Sequence, residues 1–320
     1  MKVLIVRFSS IGDIVLTTPI IRCLKKQLNG IEIHYLTKEN FKSVLDCNPY
    51  IDVLHTIKSD ISEAIPSLKK ENFDYVIDLH RNLRTLKLKL KLGVKSFSYN
   101  KLNWEKFLIT TFKINKLPNQ HIVNRYFETI EKLGVINDNK GLDYFINTKD
   151  QVNINELLPT YFLNGYNALV VGGSYFTKQI PINKLNEICL KSSLPLVLLG
   201  GKEDFKSAES VFNTNKLKTI NLCGKLNLNQ SASIINQSAK VITSDTGLMH
   251  IAAAYKKIII SVWGNTIPEF GMGPYLANEE SQIVEVKNLS CRPCSKLGYK
   301  KCPLGHFKCM NEIDFSGINL

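Results

Sequence analysis

Residues 1–27 read MKVLIVRFSSIGDIVLTTPIIRCLKKQ, and this stretch decides the fold class. The apolar run over residues 2–8 predicts a buried strand, and a short polar loop follows at residues 9–13. Apolar residues at helical spacing then predict a helix over residues 13–28. A strand, a short loop and a helix in direct succession are typical of an α/β fold built on a parallel sheet.

The same alternation continues along the first half of the chain. The segment TLKLKLKL at residues 85–92 also alternates as an exposed strand would. We favour a helix there, because two parallel strands need a crossover between them. The remaining pattern predicts strands at residues 31–37, 53–57, 73–80 and 94–99, and helices at residues 41–48, 61–72, 83–93 and 119–134.

The second half repeats this order after a polar, poorly patterned stretch at residues 145–160, which is typical of a linker. We therefore predict two Rossmann-like domains, residues 1–152 and 153–320, with parallel sheets that face an interdomain cleft where a ligand binds. The strands of the second domain are predicted at residues 167–173, 194–201, 219–224, 240–245 and 256–264, with helices between them.

Basic residues are concentrated in one part of the chain. The 320 residues carry a formal net charge of +13, and residues 81–116 hold ten basic side chains and a single acidic one, Glu105. Such a surface favours anionic partners, namely nucleic acid, phosphorylated small molecules or an anionic lipid surface, whereas scattered lysines would simply be solvated. No apolar run is long enough to cross a bilayer, so we expect a cytoplasmic protein.

The loop after the first predicted strand, residues 9–13, contains Ser10, Gly12 and Asp13. Gly12 permits close approach of a ligand to the backbone. Asp13 stands where a helix begins, a position at which aspartate is a common cap. A carboxylate there can also accept a proton from a hydroxyl group. The sequence leaves both interpretations open.

Three loops that follow predicted strands of the second half contain groups suited to a nucleotide. Glycines such as Gly173 expose backbone amides to an anion, and Thr177 and Lys178 follow within reach of phosphate oxygens. Glu203 follows a strand and two glycines, where an acidic side chain accepts bonds from a ribose. In SDTGLMH, residues 244–250, a predicted helix N-terminus offers free amides to a phosphate.

The C-terminal segment contains four clustered cysteines with the spacing C-x2-C-x7-C-x6-C. Four thiolates in a reducing compartment can hold a structural zinc ion, but only the first pair has the short spacing of a zinc knuckle. Reduced packing thiols or a redox-sensitive pair are the alternatives. The cysteines concerned are Cys291, Cys294, Cys302 and Cys309. We expect the residues after them to form a helix that packs on the first domain.

Taken together, these segments resemble glycosyltransferase family 9, the ADP-heptose:lipopolysaccharide heptosyltransferases. The most specific likenesses are RFSSIGDIVLTTPII at residues 7–21 and SDTGLMHIAAA at residues 244–254. The segments DLHRNLRT, HIVNRYFETIEKLG and GGSYFTKQIP agree in the expected order. The resemblance implies a GT-B fold of two Rossmann-like domains and the inverting transfer of a sugar from a nucleotide diphosphate, with no essential metal or cofactor.

The resemblance also assigns roles to individual residues. It implies that Asp13 is the general base and that the first domain holds the acceptor, a lipopolysaccharide core or a similar anionic saccharide. Ser10, Gly12, Arg81 and Arg84 are our candidates for that acceptor site, the two arginines because guanidinium groups bind carboxylates and phosphates in pairs of hydrogen bonds. The second domain would hold the nucleotide sugar, ADP-heptose in the type enzymes, through Gly173, Thr177, Lys178, Glu203, Asp245, Thr246, Gly247 and His250.

The basic stretch suits peripheral contact with the cytoplasmic face of an anionic inner membrane. Two other functions remain as alternatives. A nucleotide-sugar epimerase or hydrolase would use similar donor loops without needing a basic acceptor face. A basic nucleic-acid-binding protein is the alternative from a different class, but aromatic residues are not interleaved with the basic ones in a stacking pattern, and we expect no nucleic acid partner.

Overall fold

Every strand pairing in this protein is parallel, and the strands form two separate sheets. The structure is a computed structural model that describes residues 1–320. The chain divides into two units: unit 1 comprises residues 1–101 and 120–145, and unit 2 comprises residues 102–119 and 146–320. Two parallel-sheet α/β units agree with the predicted GT-B fold class.

In both sheets, neighbouring strands are consecutive along the chain, with one exception in each sheet. In unit 1 the order is β3-β2-β1-β4-β5, and in unit 2 it is β11-β10-β9-β6-β7-β8. The strands are β1 (Lys2–Val6), β2 (Glu32–Lys38), β3 (Val53–Ile57), β4 (Tyr75–Asp78), β5 (Ser96–Ser98), β6 (Asn167–Val170), β7 (Leu196–Leu199), β8 (Thr219–Asn221), β9 (Lys240–Ser244), β10 (Ile258–Trp263) and β11 (Gln282–Glu285).

Short α-helices cover the sheets, because each parallel connection needs a crossover. They are α1 (Ile11–Val15), α2 (Thr18–Gln27), α3 (Ile65–Lys70), α4 (Leu83–Leu92), α5 (Asn103–Phe107), α6 (Ile122–Phe127), α7 (Ile154–Leu157), α8 (Ile182–Lys191), α9 (Phe205–Thr214), α10 (Leu228–Gln237), α11 (Gly247–Ala254) and α12 (Lys308–Asn311). None of the helices is long and apolar enough to cross a membrane.

The central position of β1 in its sheet determines which loops lie beside the loop that follows it. β1 pairs with β2 on one side and with β4 on the other, and Val6 stands opposite Asp78. Parallel strands end at the same edge of a sheet, so the loop after β1 lies beside the loop after β4. In unit 2, β9 pairs with β6 and β10 in the same way, which brings the loops after these three strands to one edge.

The ambiguous segment at residues 85–92 is helical, as the crossover argument predicts. α4 connects the parallel neighbours β4 and β5. Asn82 accepts the backbone N–H of Thr85 at 3.0 Å, and the Thr85 hydroxyl accepts the N–H of Asn82 at 2.9 Å, which closes a capping box. The helix ends at Gly93, whose φ of +68° suits glycine.

Some predicted helices are shorter than their apolar patterns indicate. The segment at residues 119–134 forms α6 only as far as Phe127, and then a 3₁₀ turn at Glu131–Leu133. The Thr129 hydroxyl donates to the carbonyl of Tyr126 at 2.6 Å, and such local bonds compete with a continuing helix. The predicted helix at residues 41–48 is a 3₁₀ turn over Glu39–Val44.

The limits of the two compact units differ from the predicted domain boundaries in two places. The division lies at residues 145 and 146 rather than 152 and 153, and residues 102–119 belong to unit 2 although residues on both sides belong to unit 1. Ile109 packs with Ile267 and Phe270 in a small buried cluster. The Lys113 ammonium donates to the backbone carbonyl of Pro293 at 2.8 Å. These contacts are between residues remote in sequence, so no local pattern predicts them.

The expectation that the C-terminal residues pack on the first domain is wrong. Met310, Ile313, Phe315 and Leu320 are buried in the core cluster of unit 2. Gly264 permits this packing, because a Cβ atom there would lie 2.6 Å from the Met310 methyl group. The tail therefore completes the hydrophobic core of unit 2.

This packing predicts a large loss of stability on truncation of a tail side chain. Phe315 is 1% exposed, and Phe315→Ala should lower the free energy of unfolding by about 3–5 kcal/mol. Both tryptophans of the chain, Trp104 and Trp263, lie in unit 2, so tryptophan fluorescence during urea denaturation reports on that unit. Leu304→Ala, an exposed tail residue, is the matched control and should change little. Equal effects of the two substitutions would contradict the packing described here.

Candidate active site

Asp13 caps α1 and also presents a carboxylate to solvent. One carboxylate oxygen accepts the Ser10 hydroxyl at 2.7 Å and the Ser10 backbone N–H at 3.2 Å. The other oxygen lies 2.7 Å from a guanidinium nitrogen of Arg7, and the side chain is 21% exposed. The cap and the base are therefore compatible, because capping and pairing leave part of the carboxylate accessible.

Arg7 is the partner of the Asp13 carboxylate, and sequence reasoning missed it. It is 7% exposed, and besides Asp13 it donates to the backbone carbonyl of Leu79 at 2.6 Å and to the phenol of Tyr126 at 3.2 Å. Burial raises the pKa of Tyr126 well above its usual value, so the phenol stays neutral. These bonds fix the guanidinium and hence the direction of the Asp13 carboxylate. The signal for Arg7 in the sequence was a charged residue within an apolar strand-forming run.

Asp78 shapes the loop that holds Arg81. It is fully buried at the end of β4, where it accepts the backbone N–H of His80 at 3.0 Å and that of Arg81 at 2.6 Å. Arg81 takes a φ of +47°, and its guanidinium donates to the carbonyl of Tyr99 at 2.8 Å. The loop is thus held by buried polar bonds, with the Arg81 side chain exposed at its surface.

Arg84 and His80 contact the same aromatic ring. The Arg84 guanidinium carbon lies 5.3 Å from the centre of the Phe8 ring, and the His80 ring centre lies 5.0 Å from it. The Nδ1 atom of His80 is buried without a hydrogen-bond partner. Burial first, and then the Arg7 charge, lowers the pKa of His80 to about 3, so this imidazole is neutral at neutral pH. Unit 1 therefore brings Asp13, His80 and Arg84 to the neighbouring ends of β1 and β4.

In unit 2 the structure brings together two of the predicted donor residues. The Lys178 ammonium pairs with the carboxylate of Asp245 at 2.5 Å, and the Thr266 hydroxyl donates to the same oxygen at 3.3 Å. Lys178 follows β6 and Asp245 follows β9, its neighbour in the sheet. The Lys178 side chain is 16% exposed and that of Asp245 is 13% exposed, so the pair lies partly open to solvent.

Thr246 and Gly247 begin α11 as predicted. The Thr246 hydroxyl caps the helix by accepting the backbone N–H of Met249 at 3.4 Å, and it also bonds with the Thr243 hydroxyl at 3.0 Å. Gly247 is the first residue of the helix. His250 is only 2% exposed, so its assignment to the donor site stays a prediction.

Three other predicted donor residues, Thr177, Glu203 and Gly173, lie close to other residues of unit 2. The Thr177 hydroxyl is buried, accepts the backbone N–H of Tyr299 at 2.8 Å and donates to its carbonyl at 3.3 Å, which ties the loop to the C-terminal tail. Glu203 is exposed and folds over Gly201, where a Cβ atom would lie 2.4 Å from its carboxylate oxygen. Gly173 lies beside Ser244, whose hydroxyl would be 3.7 Å from a Cβ atom there.

Asp204 explains the glycine pairs that follow β6 and β7. It is largely buried and accepts the backbone N–H of Gly201 at 2.8 Å, and burial raises its pKa. A Cβ atom at Gly172 would lie 2.0 Å from its carboxylate oxygen, and one at Gly200 would lie 2.8 Å from it. These glycines are therefore required by the packing of an internal carboxylate, which the sequence did not reveal.

Two buried polar side chains, which directly precede Asp245 and Thr266 in the sequence, have no hydrogen-bond partner. They are Ser244, at the end of β9, and Asn265, which follows β10. An unpaired buried polar group costs about 1–3 kcal/mol, which a polar ligand could offset. Sequence reasoning missed both. Their position directly after strands of a parallel sheet was the available signal.

The clustered cysteines are free thiols. The Cys291 sulfur lies 4.0 Å from the Nε2 atom of His306, and burial raises the pKa of Cys309 to about 12. The metal-binding side chains whose donor atoms lie within 4.8 Å of one another are His34, His55 and Glu71, not the cysteines. Cys309 belongs to the core cluster of unit 2 and Cys302 packs against it. A zinc site of Cys291, Cys294, Cys302 and Cys309 stays a prediction, as do its alternatives, packing thiols and a redox-sensitive pair.

The arrangement of two parallel-sheet α/β units agrees with the comparisons to known proteins. The family model described as glycosyltransferase family 9 (heptosyltransferase) matches residues 62–305. The chain belongs to this family. It is therefore a glycosyltransferase, and the sequence-based assignment is confirmed.

Relatives cover most of the chain. Lipopolysaccharide heptosyltransferase 1 of Campylobacter coli is 25% identical over 292 residues, 83% of this chain and 84% of that protein. A family 9 glycosyltransferase structure from Veillonella parvula superposes with a TM-score of 0.72 at 24% identity, covering 88% of this chain and 85% of that one. The structure of Escherichia coli heptosyltransferase WaaC with ADP gives a TM-score of 0.66 at 21% identity, covering 88% and 92%.

The neutral His80 predicts a stability change with pH. Its pKa is about 3 in the folded protein and 6.5 as the reference value, so between these values the unfolded chain binds more protons. The contribution of neutral His80 to the free energy of unfolding is therefore complete above pH 6.5, and it is lost as the pH falls toward 3. As the pH falls from 7 to 5, the His80→Gln variant should therefore lose less stability than the wild type, as measured by scanning calorimetry. His306→Gln in unit 2 is the control, and identical pH profiles for H80Q and the wild type would contradict the assignment.

Proposed function

We propose that this glycosyltransferase moves a heptose from ADP-heptose to a lipopolysaccharide core or a similar anionic saccharide, with inversion at the anomeric carbon. Heptosyltransferases of lipopolysaccharide synthesis are among its relatives. WaaC, which shares the fold, was solved with ADP and with ADP-2-deoxy-2-fluoro heptose. These relatives support a nucleotide-sugar donor of that kind.

The observation that carries the proposal is the fixed carboxylate of Asp13. A general base must be ionised, accessible and held in one direction. The Arg7 guanidinium stabilises the ionised carboxylate, and the Ser10 bonds fix its second oxygen. In the proposed step the acceptor hydroxyl oxygen attacks the anomeric carbon, the bond from that carbon to the diphosphate oxygen breaks, and Asp13 takes the hydroxyl proton.

The leaving diphosphate needs stabilisation on the opposite side of the sugar. Lys178 and the amides at the N-terminus of α11, with Thr246 and Gly247, supply positive charge and N–H donors in unit 2. A diphosphate carries more negative charge than Asp245 and competes for the Lys178 ammonium. This arrangement provides the charge that a metal ion supplies in other transferases, and the proposal requires no metal and no cofactor.

The remaining donor contacts follow from the family resemblance. The backbone of Gly173 lies close to Ser244. Glu203 is exposed and can reach a ribose hydroxyl. His250 lies one turn into α11. Thr177 would contribute by holding the loop of Lys178 in place, because its hydroxyl and its backbone N–H are both bonded to Tyr299.

The acceptor is proposed to bind unit 1. Arg81 is exposed, Arg84 lies against Phe8, and both follow the strand next to that of Asp13. Guanidinium groups suit the phosphates and carboxylates of a lipopolysaccharide core. Ser10 bonds the proposed base directly, and Gly12 adjoins it in the sequence. Such an acceptor is lipid-anchored, so we place the enzyme at the cytoplasmic face of the inner membrane.

Asp13→Asn should keep donor binding and lose most turnover. An amide cannot accept the proton, and the loss of a general base typically lowers kcat by about 10²–10⁴-fold. ADP release in the presence of ADP-heptose and a heptose-deficient core acceptor measures turnover. Titration calorimetry with ADP measures donor binding.

Asp46→Asn, an exposed aspartate of unit 1, is the matched control. Turnover at the wild-type rate in D13N would show that Asp13 is only a helix cap and not a general base. ADP release that does not depend on the acceptor would favour a hydrolase instead of a transferase.

Lys178→Ala should weaken donor binding. Removing one charge-assisted bond to a diphosphate costs about 1.5–3 kcal/mol, or roughly 10–150-fold in the Kd for ADP. Lys216→Ala, an exposed lysine of the same unit, should bind ADP as the wild type does. Unchanged ADP affinity in K178A would exclude Lys178 from the donor site.

A further inference from the structure

Helix α4 carries an apolar stripe on its outer surface. Leu83, Leu86 and Leu90 have the i, i+3, i+7 spacing of one helical face, and they are 83%, 48% and 75% exposed. Nine of the 39 leucines of the chain are exposed, and three of these nine, in register on a single helix, form a distinct apolar surface. We call Leu83, Leu86 and Leu90 the leucine stripe.

The leucine stripe is not needed for the packing of unit 1. The opposite face of α4 already does this, since Thr85 is 1% exposed and Leu88 is fully buried. The ends of the helix are fixed by the Asn82–Thr85 capping box and by the turn at Gly93. The helix is therefore held in place by its inner face, and the stripe is free to contact another surface.

Cationic side chains border the leucine stripe. Lys87 and Lys91 lie one turn apart along its edge and are both exposed. Asp60 lies near them, and its pKa is lowered mainly by bonds with Ser62 and in part by these two lysines. The third lysine of the helix, Lys89, is directed inward and pairs with Asp78 at 3.1 Å. An apolar stripe bordered by exposed lysines is the pattern of a helix that lies in a membrane interface.

We propose that the outer face of α4, the leucine stripe with Lys87 and Lys91, docks the protein on the surface of an anionic phospholipid bilayer. The inference rests on the proposed function only in that a lipid-anchored acceptor explains why docking is useful. An anionic bilayer complements this surface, because the leucines match its acyl chains and the lysines match its anionic headgroups. A saccharide alone would match neither an apolar stripe nor its length of two helical turns.

The location of α4 agrees with this role. The helix begins directly after Arg81 and includes Arg84, the two arginines proposed for the acceptor. Docking through its outer face would hold these arginines at the depth of lipid headgroups, where the saccharide of a lipid-anchored acceptor begins. The bilayer contact and the acceptor site would then share one rigid helix.

Sedimentation with lipid vesicles tests the proposal without substrate. The full-length protein should bind vesicles of equal parts phosphatidylglycerol and phosphatidylcholine, and bind pure phosphatidylcholine vesicles far less. The triple variant Leu83→Ser, Leu86→Ser, Leu90→Ser should lower partitioning by at least about tenfold. The double variant Lys87→Gln, Lys91→Gln should lower partitioning to the anionic vesicles by about tenfold or more, because each basic residue near such a surface strengthens the attraction to it.

The matched control replaces three exposed leucines of unit 2, Leu190, Leu217 and Leu304, by serine, and it should bind as the wild type does. Unchanged vesicle binding in the α4 triple variant would overturn the proposal. So would self-association of the wild type in light scattering that this variant abolishes, because the stripe would then bind a second copy. ADP release with a delipidated acceptor in solution should be unaffected by the α4 variants, and absence of transfer there would count against the proposed function alone.

Discussion

Parallel pairing of neighbouring strands is the constraint on which the functional regions of this protein depend. Because parallel strands all end at the same edge of a sheet, residues far apart in the chain come together there. In unit 1 this brings the loop of Asp13 beside the loop of Arg81, since Val6 stands opposite Asp78. In unit 2 it brings Lys178 to Asp245 across the neighbours β6 and β9. Each of these two loop clusters is a consequence of strand order.

Buried charges give these loops their shape. Arg7 in unit 1 holds Asp13, and the buried Asp78 holds the backbone of Arg81. In unit 2 the buried carboxylate of Asp204 fills the space left by the glycines after β6 and β7. Buried charges are costly unless they are paired and hydrogen-bonded, so a loop that satisfies one is restricted to a single conformation. This restriction is what a catalytic base and an anion site require.

The sequence predicted most elements of the fold correctly, including the helix at residues 83–92, where local alternation favoured a strand. The lengths of α6 and of the turn at Glu39–Val44 were overestimated, because side-chain bonds such as that of Thr129 compete with a helix and leave the apolar pattern unchanged. The membership of residues 102–119 in unit 2 was missed for a different reason. It depends on contacts with residues more than 150 positions away, such as Ile267.

The sequence by itself determined the α/β class, the alternation of strands and helices along the chain and the identity of Asp13, Lys178 and Asp245 as candidates, because apolar periodicity and strand-end loops are local properties. Only the tertiary structure decided that Arg7 orients Asp13, that the Thr177 hydroxyl is bonded to Tyr299 and that Leu83, Leu86 and Leu90 face outward. The physical reason is that burial and pairing depend on neighbours brought together by folding. Residue type and spacing record these neighbours only indirectly.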